Sequence, residues 1–137
     1  MTMLVTRPKP IAVWHEAVAA GDLTRFEELL TDDAVFLSPA LHTPQVGKAL
    51  VSMYLRGAMI VLNNGTFRYV DEWIGPRSAV LEFEARVEGL DINGVDIVRW
   101  NDDERVTQFK VMVRPFKGLT TLMGAMAKLL EAAKTGA

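Results

Sequence analysis

Residues 89–115 read GLDINGVDIVRWNDDERVTQFKVMVRP, and the fold of the chain turns on this stretch. Two runs rich in β-branched and aromatic residues, 92–100 and 106–114, flank the polar cluster Asn101-Asp102-Asp103-Glu104. That pattern predicts two long antiparallel strands joined by a tight turn. Alternation puts Asp96, Val98 and Trp100 on one face and Arg99 on the other. A carboxylate on the apolar face of a strand is costly to bury unless it is partnered. Asp96 is therefore read as the main polar group of an apolar pocket floored by this hairpin. The other reading makes it a hydrogen-bonded structural acid capping a turn at Asn93-Gly94.

Outward from the hairpin, the period of two continues upstream. Residues 78–88 alternate Leu81, Phe83, Ala85 and Val87 against Glu82, Glu84, Arg86 and Glu88, and 66–74 form another strand, broken by Gly75-Pro76. Before that the period is helical. Pro10 suits a first helical turn, Ile11, Trp14 and Val18 follow at helical spacing, and Gly21 stops the run. Asp22 then caps a second helix with Leu23, Phe26 and Leu30 on one face. Asp32-Asp33 ends it before a short strand over 34–38, and 39–46 form a loop carrying His42 and Pro44. A third helix runs from Gly47 to about Leu62 with Leu50, Met53, Tyr54, Ala58 and Val61 on its stripe. After Pro115 a last helix over about 119–133 offers Leu119, Leu122, Met126, Leu129 and Leu130. The expected organisation is one domain over 1–137, with a loose arm at 1–9 and a C-terminal helix within 116–134. The class is α+β, an antiparallel sheet with helices covering one face.

Composition narrows the partners. Half of the 137 residues are hydrophobic and 23% are charged, as in a globular chain. Net charge is -2, without a block of one sign. Nucleic acid and anionic membrane surfaces are thus excluded as main partners. There is no cysteine, which rules out disulfides and thiolate chemistry. The first ten residues lack the apolar core of a signal peptide, and no apolar run is long enough to span a bilayer, so a soluble cytoplasmic protein is expected. His15 and His42 are far apart, and His15-Glu16 lacks the second histidine of a zinc-protease helix, so no metal site is expected.

Several segments together carry a family resemblance: Ala20-Gly21-Asp22-Leu23, Leu30-Thr31-Asp32-Asp33-Ala34-Val35, Gly47-Lys48, Gly94-Val95-Asp96-Ile97-Val98-Arg99-Trp100 and Val111-Met112-Val113-Arg114-Pro115. In their order and spacing the chain resembles SnoaL-like members of the nuclear transport factor 2-like superfamily, which includes ketosteroid isomerase. The resemblance implies a curved antiparallel sheet wrapped around N-terminal helices to form a cone-shaped cavity. It also implies a homodimer through the other face of the sheet. It does not fix a reaction, because this fold hosts isomerases, cyclases, hydrolases, dehydratases and binding modules. By resemblance to ketosteroid isomerase, Asp96 stands where that enzyme keeps a protonated aspartic acid as an oxyanion-hole donor. The enzyme's base falls at Ser38, which cannot serve as a base unaided. Its oxyanion-hole tyrosine falls at Trp14, whose indole donates but does not ionise.

The candidate site follows. Asp96 is the acid or oxyanion partner, with a pKa raised by apolar surroundings and Trp14 or Tyr54 as its expected donor. His42, between strand and helix near Ser38, is the histidine placed for acid–base work; it also reads as a solvated loop residue. Trp14, Ser38, Tyr54, Phe83, Val98, Trp100 and Phe109 are the expected ligand-binding lining, although each aromatic taken alone reads first as a core residue. Two functions remain open. One is a cofactor-free enzyme acting on a small apolar carbonyl or epoxide compound, with His42 or Tyr54 assisting Asp96. The other is a non-catalytic binding or assembly domain. Glu82, Glu84, Arg86, Arg99, Gln108 and Lys110 face away from the cavity; by itself that mixed-sign face reads as solvated, and the family resemblance makes it the expected dimer surface.

Overall fold

The computed structural model describes residues 7–134. Most of the expected N-terminal arm, residues 1–6, lies outside them. The elements in chain order are α1 (Lys9–Ala20), α2 (Thr24–Glu27), β1 (Leu30–Leu37), β2 (Gln45–Val46), α3 (Lys48–Leu62), β3 (Arg68–Ile74), β4 (Ser78–Val87), β5 (Leu90–Trp100), β6 (Val106–Arg114) and α4 (Phe116–Lys134). The hairpin read from residues 89–115 is β5 and β6, paired antiparallel with Asp96 opposite Val111 and Val98 opposite Phe109. Strand β4 joins β5 through Glu88 and Gly89, both at positive φ (49° and 79°), as a two-residue hairpin turn requires. The expected meander is therefore β3–β4–β5–β6. Asn93 and Gly94 lie inside β5, so the reading of Asp96 as the cap of a turn there does not hold.

The full sheet is curved and has six strands in the order β2-β1-β6-β5-β4-β3, with β1 parallel to β6 and every other pair antiparallel. Here the structure departs from the sequence reading. The second helix has only four residues, and Leu30 opens a strand. Asp22 does act at the helix start, accepting from the Thr24 amide and hydroxyl at 3.0 and 2.7 Å. Strand β1 begins early because Leu30 pairs with Val106, and the Val106 amide donates to the Leu29 carbonyl at 2.7 Å. A non-local ladder overrides the local helical spacing. Helix α3 is in its expected place but turned by about one position: it buries Val51, Leu55, Gly57 and Leu62, whereas Met53 is exposed.

The helices cover the concave face in two packed groups. One joins Ile11, Trp14 and Phe26 to Phe36, Val51, Leu81, Val98, Trp100 and Phe109. The other joins Leu62, Phe83, Ala85, Ile92, Leu122 and Met126. Tyr69 and Val111 pack against both. Gly94 is needed where it stands: a Cβ there would lie 2.5 Å from the Met112 carbonyl oxygen and 2.6 Å from Cζ of Phe83. The missing side chain lets the Phe83 ring lie across β5.

Candidate functional site

The two apolar groups do not close on each other completely. Between them lies a cavity of about 280 Å³, near the lower end of the usual range for small-molecule sites. Strands supply Phe36, Tyr69, Asp96, Phe109 and Val111; α1 and α3 supply Trp14, Tyr54, Leu55 and Met59; α4 closes a wall with Leu122, Met123, Met126 and Leu130. Ser38, Pro39, Ala40 and Leu41, just beyond β1, form part of the rim. Its polar groups are few: Asp96, Tyr69, Tyr54, Ser38, Asn63 and the Trp14 indole.

Asp96 is the one buried charged residue among those described, 6% exposed. Its strand neighbours on the same face are Gly94 and Val98, and its cross-strand partners are Leu81 and Val111. No cation stands among these neighbours. Burial pushes the carboxyl up to about 7, against the opposing pull of a hydrogen bond from Tyr69. The Tyr69 hydroxyl donates to Oδ2 at 2.5 Å, and the Trp14 indole N–H donates to the Tyr69 oxygen at 2.7 Å. Tyr69 is itself pushed well above its ordinary value, by burial first and then by the Asp96 charge. The three side chains thus form a relay in which Trp14 donates to Tyr69 and Tyr69 to Asp96. The other carboxyl oxygen, Oδ1, has no partner among the described residues and opens on the cavity. While protonated, Asp96 can pass a hydrogen bond on to a ligand oxygen; while ionised, it can only accept one.

Tyr69 is the cavity residue that the sequence reading missed, and it takes the place expected of Trp14 or Tyr54 beside Asp96. Trp14 is displaced by one step, bonding to Tyr69 instead. The available signal was Phe67 and Tyr69 at a spacing of two in a segment already read as a strand. It was obscured by an irregularity between Tyr69 and Asp71, which reverses the alternation. Tyr69 opposes Phe83 on the inner face, whereas Trp73 opposes Val80 on the outer face and is 52% exposed. The Tyr69 ring also meets the edge of His15 at 5.2 Å, and His15 bonds Glu72 at 2.7 Å. That gives His15 a packing role behind the site.

The remaining expected residues divide. Trp14, Ser38, Tyr54 and Phe109 line the cavity with Asp96. Phe83, Val98 and Trp100 do not. Val98 and Trp100 share the face of Asp96 but lie farther along β5, under the first packed group. Phe83 stacks on Phe67 at 5.1 Å in the second. His42 is exposed and outside the lining, because the chain dips toward the cavity at 38–41 and has left it by residue 42. Among the described residues no group of three histidine, aspartate or glutamate side chains could hold a metal ion. No helix among them is long and apolar enough to cross a membrane.

The sequence matches the SnoaL-like domain family over residues 11–109. The chain belongs to the SnoaL-like family. A steroid delta-isomerase from Pseudomonas aeruginosa is 38% identical to this SnoaL-like protein, with TM-score 0.88 over 98% of this chain and 100% of that one. An uncharacterised protein with a cystatin-like fold from Silicibacter pomeroyi is 30% identical, with TM-score 0.83 over 93% and 89% of the two chains. SalBIII, an epoxide hydrolase/cyclase-like enzyme of salinomycin pyran ring formation, is 16% identical with TM-score 0.62 over 77% and 88%, a likeness of fold alone. No curated protein matches the chain. The expected SnoaL-like, nuclear transport factor 2-like architecture is therefore the one observed.

Proposed function

We propose that this SnoaL-like protein binds a small apolar molecule through one oxygen atom, with Asp96 as the acid that donates to it. The observation that carries this reading is the Trp14–Tyr69–Asp96 relay ending on a buried carboxyl in a largely apolar cavity. A neutral acid beside a ligand carbonyl polarises it, and beside an oxyanion it supplies the donor that a dry site needs. The test is binding of 2-naphthol, a flat apolar probe with one oxygen, followed by fluorescence at about pH 6. The wild type should bind it, and Asp96→Ala should weaken binding about tenfold or more. Equal binding by both proteins would remove Asp96 from the site.

A second reading, catalysis, is favoured by the 38% identity to a steroid delta-isomerase. In it the same relay holds the enolate oxygen formed as a proton moves between carbons of an unsaturated ketone. Against it stands Ser38 on the cavity rim, where the resemblance to ketosteroid isomerase puts the base. Among the described residues the cavity lining has no carboxylate, histidine or lysine other than Asp96. Conversion of a β,γ-unsaturated steroid ketone to its conjugated isomer, read by ultraviolet absorbance, separates the readings. Turnover in the wild type that disappears in Asp96→Asn supports catalysis; its absence in both leaves binding.

We also infer a homodimer through the outer face of the sheet. Trp73 and Met112 are about half exposed there, beside Val80, Val95 and Ile97. Around them stand charges of both signs, Glu82, Glu84, Arg99 and Lys110, which suits a surface meeting its own copy. Sedimentation at micromolar concentration should give a dimer; a clean monomer would sink this assignment.

A further inference from the structure

We propose that His15 and Glu72 are positioning residues, a clamp between α1 and β3 that holds the Tyr69 hydroxyl on Asp96. This rests on the binding role of Asp96 and adds two residues that stand behind the cavity, outside its lining. Tyr69 lies on β3, an edge strand whose one hydrogen-bonded neighbour among the described residues is β4. The ladder to β4 is irregular between Tyr69 and Asp71, and such a break leaves backbone unpaired. An edge strand interrupted beside Tyr69 is the part of the sheet least held by its own hydrogen bonds. Yet the Tyr69 oxygen must stay within 2.5 Å of Asp96 and 2.7 Å of the Trp14 indole.

The same irregularity supplies the clamp. Tyr69 opposes Phe83 and Glu72 opposes Leu81, and both partners are buried on the inner face. In a regular strand residues three apart point to opposite faces; here both point inward. Helix α1 meets them with two consecutive residues. The Trp14 indole donates to the Tyr69 oxygen, and the His15 ring lies against the Tyr69 ring at 5.2 Å and 79°. His15 Nε2 stands 2.7 Å from Glu72 Oε1, and because a carboxylate only accepts, the imidazole donates. Arg7, just ahead of α1, donates from Nε to Glu72 Oε2 at 2.9 Å. Both Glu72 oxygens are thus bound to the α1 side. The His15 and Glu72 side chains are each 21% exposed, so water screens their contact less than it would a fully exposed pair. Burial works against the Glu72 charge, and the Arg7 and His15 contacts outweigh it. Phe67 and Phe83 stand against other sides of the Tyr69 ring, at 5.0 and 6.4 Å. His15 is its wall toward α1. Without that wall the ring can tilt, and a hydroxyl displaced by about 1 Å loses its hydrogen bond.

The test measures 2-naphthol affinity at about pH 6 and the Asp96 titration by carboxyl NMR. The proteins are the wild type, His15→Ala, Tyr69→Phe and the two substitutions combined. His15→Ala should weaken binding about three- to tenfold, the worth of about one hydrogen bond. It should also let Asp96 titrate above about 7, because the Tyr69 hydrogen bond is what pulls that carboxyl down. In the Tyr69→Phe background the same substitution should change neither quantity, since His15 acts through the hydroxyl. Glu72→Ala should repeat the losses of His15→Ala, and Glu72→Gln, which keeps an oxygen for His15, should recover most of them. An Asp96 titration that His15→Ala does not move overturns the proposal. So do equal effects of His15→Ala with and without the Tyr69 hydroxyl, which would make His15 a structural residue only. If the wild type does not bind 2-naphthol, the binding role of Asp96 fails, and the Asp96 titrations in the two backgrounds still decide whether the clamp exists.

Discussion

Replacing Asp96 with asparagine separates the carboxyl's charge from its shape. In the folded protein burial raises this group from an ordinary 3.8 to about 7. At about 1.4 kcal/mol per pH unit, that gap corresponds to about 4 kcal/mol. Between about pH 4 and about pH 7 the folded protein holds a proton that the unfolded chain has released. The stability from the neutral acid is therefore complete below about pH 4 and is lost as pH rises through about 7. The amide keeps an oxygen to accept from Tyr69 and never ionises, so Asp96→Asn should fold and escape this loss. Urea unfolding of both proteins should show the variant ahead of the wild type by a margin that widens by about 3 kcal/mol from about pH 5 to about pH 8. The difference between the proteins is the proper readout, because other carboxylates act in the opposite sense. The Arg56 pair holds Glu27 low, and for Glu72 the Arg7 and His15 contacts outweigh burial, so both groups lose stability as pH falls. A margin that does not change with pH would mean that Asp96 is not desolvated in the fold, and the reasoning about the site would fall with it.

Three further outcomes follow from the same geometry. Tyr69→Phe removes the hydrogen bond that lowers the Asp96 carboxyl and strands the Trp14 indole N–H; carboxyl NMR should show Asp96 titrating above about 7, with a loss of about 1–3 kcal/mol in urea unfolding. An unmoved titration would remove Tyr69 as its partner. Gly94→Ala drives a Cβ against the Met112 carbonyl and the Phe83 ring and should destabilise the fold by about 3 kcal/mol; a loss under about 1 kcal/mol would mean that β5 and β6 can separate there. Truncation after Pro115 deletes α4, with Leu122 and Met126, and should lower the melting temperature by several degrees and weaken 2-naphthol binding together. Unchanged values would mean that the helix is no part of the wall.

Some of this protein was legible in the amino-acid sequence alone. The alternation over residues 78–88 and 92–100 is local, and side chains on successive residues of a strand must point to opposite faces. The hairpin, the inward face of Asp96 and the rise in its pKa all follow from that. The arrest of α1 at Gly21, which takes φ 68°, is local as well, since glycine adopts that conformation without strain. The tertiary structure decided what depends on residues distant in sequence. Leu30 becomes strand because Val106 lies beside it, 76 residues later. Trp73 turns outward because the irregularity after Tyr69 changes the parity of β3, and no pattern of two survives an inserted residue. The same event keeps Tyr69 inside, 27 residues from Asp96 in sequence. The acid was visible because it broke a local pattern; its partner was hidden because only the packed sheet brings the two together.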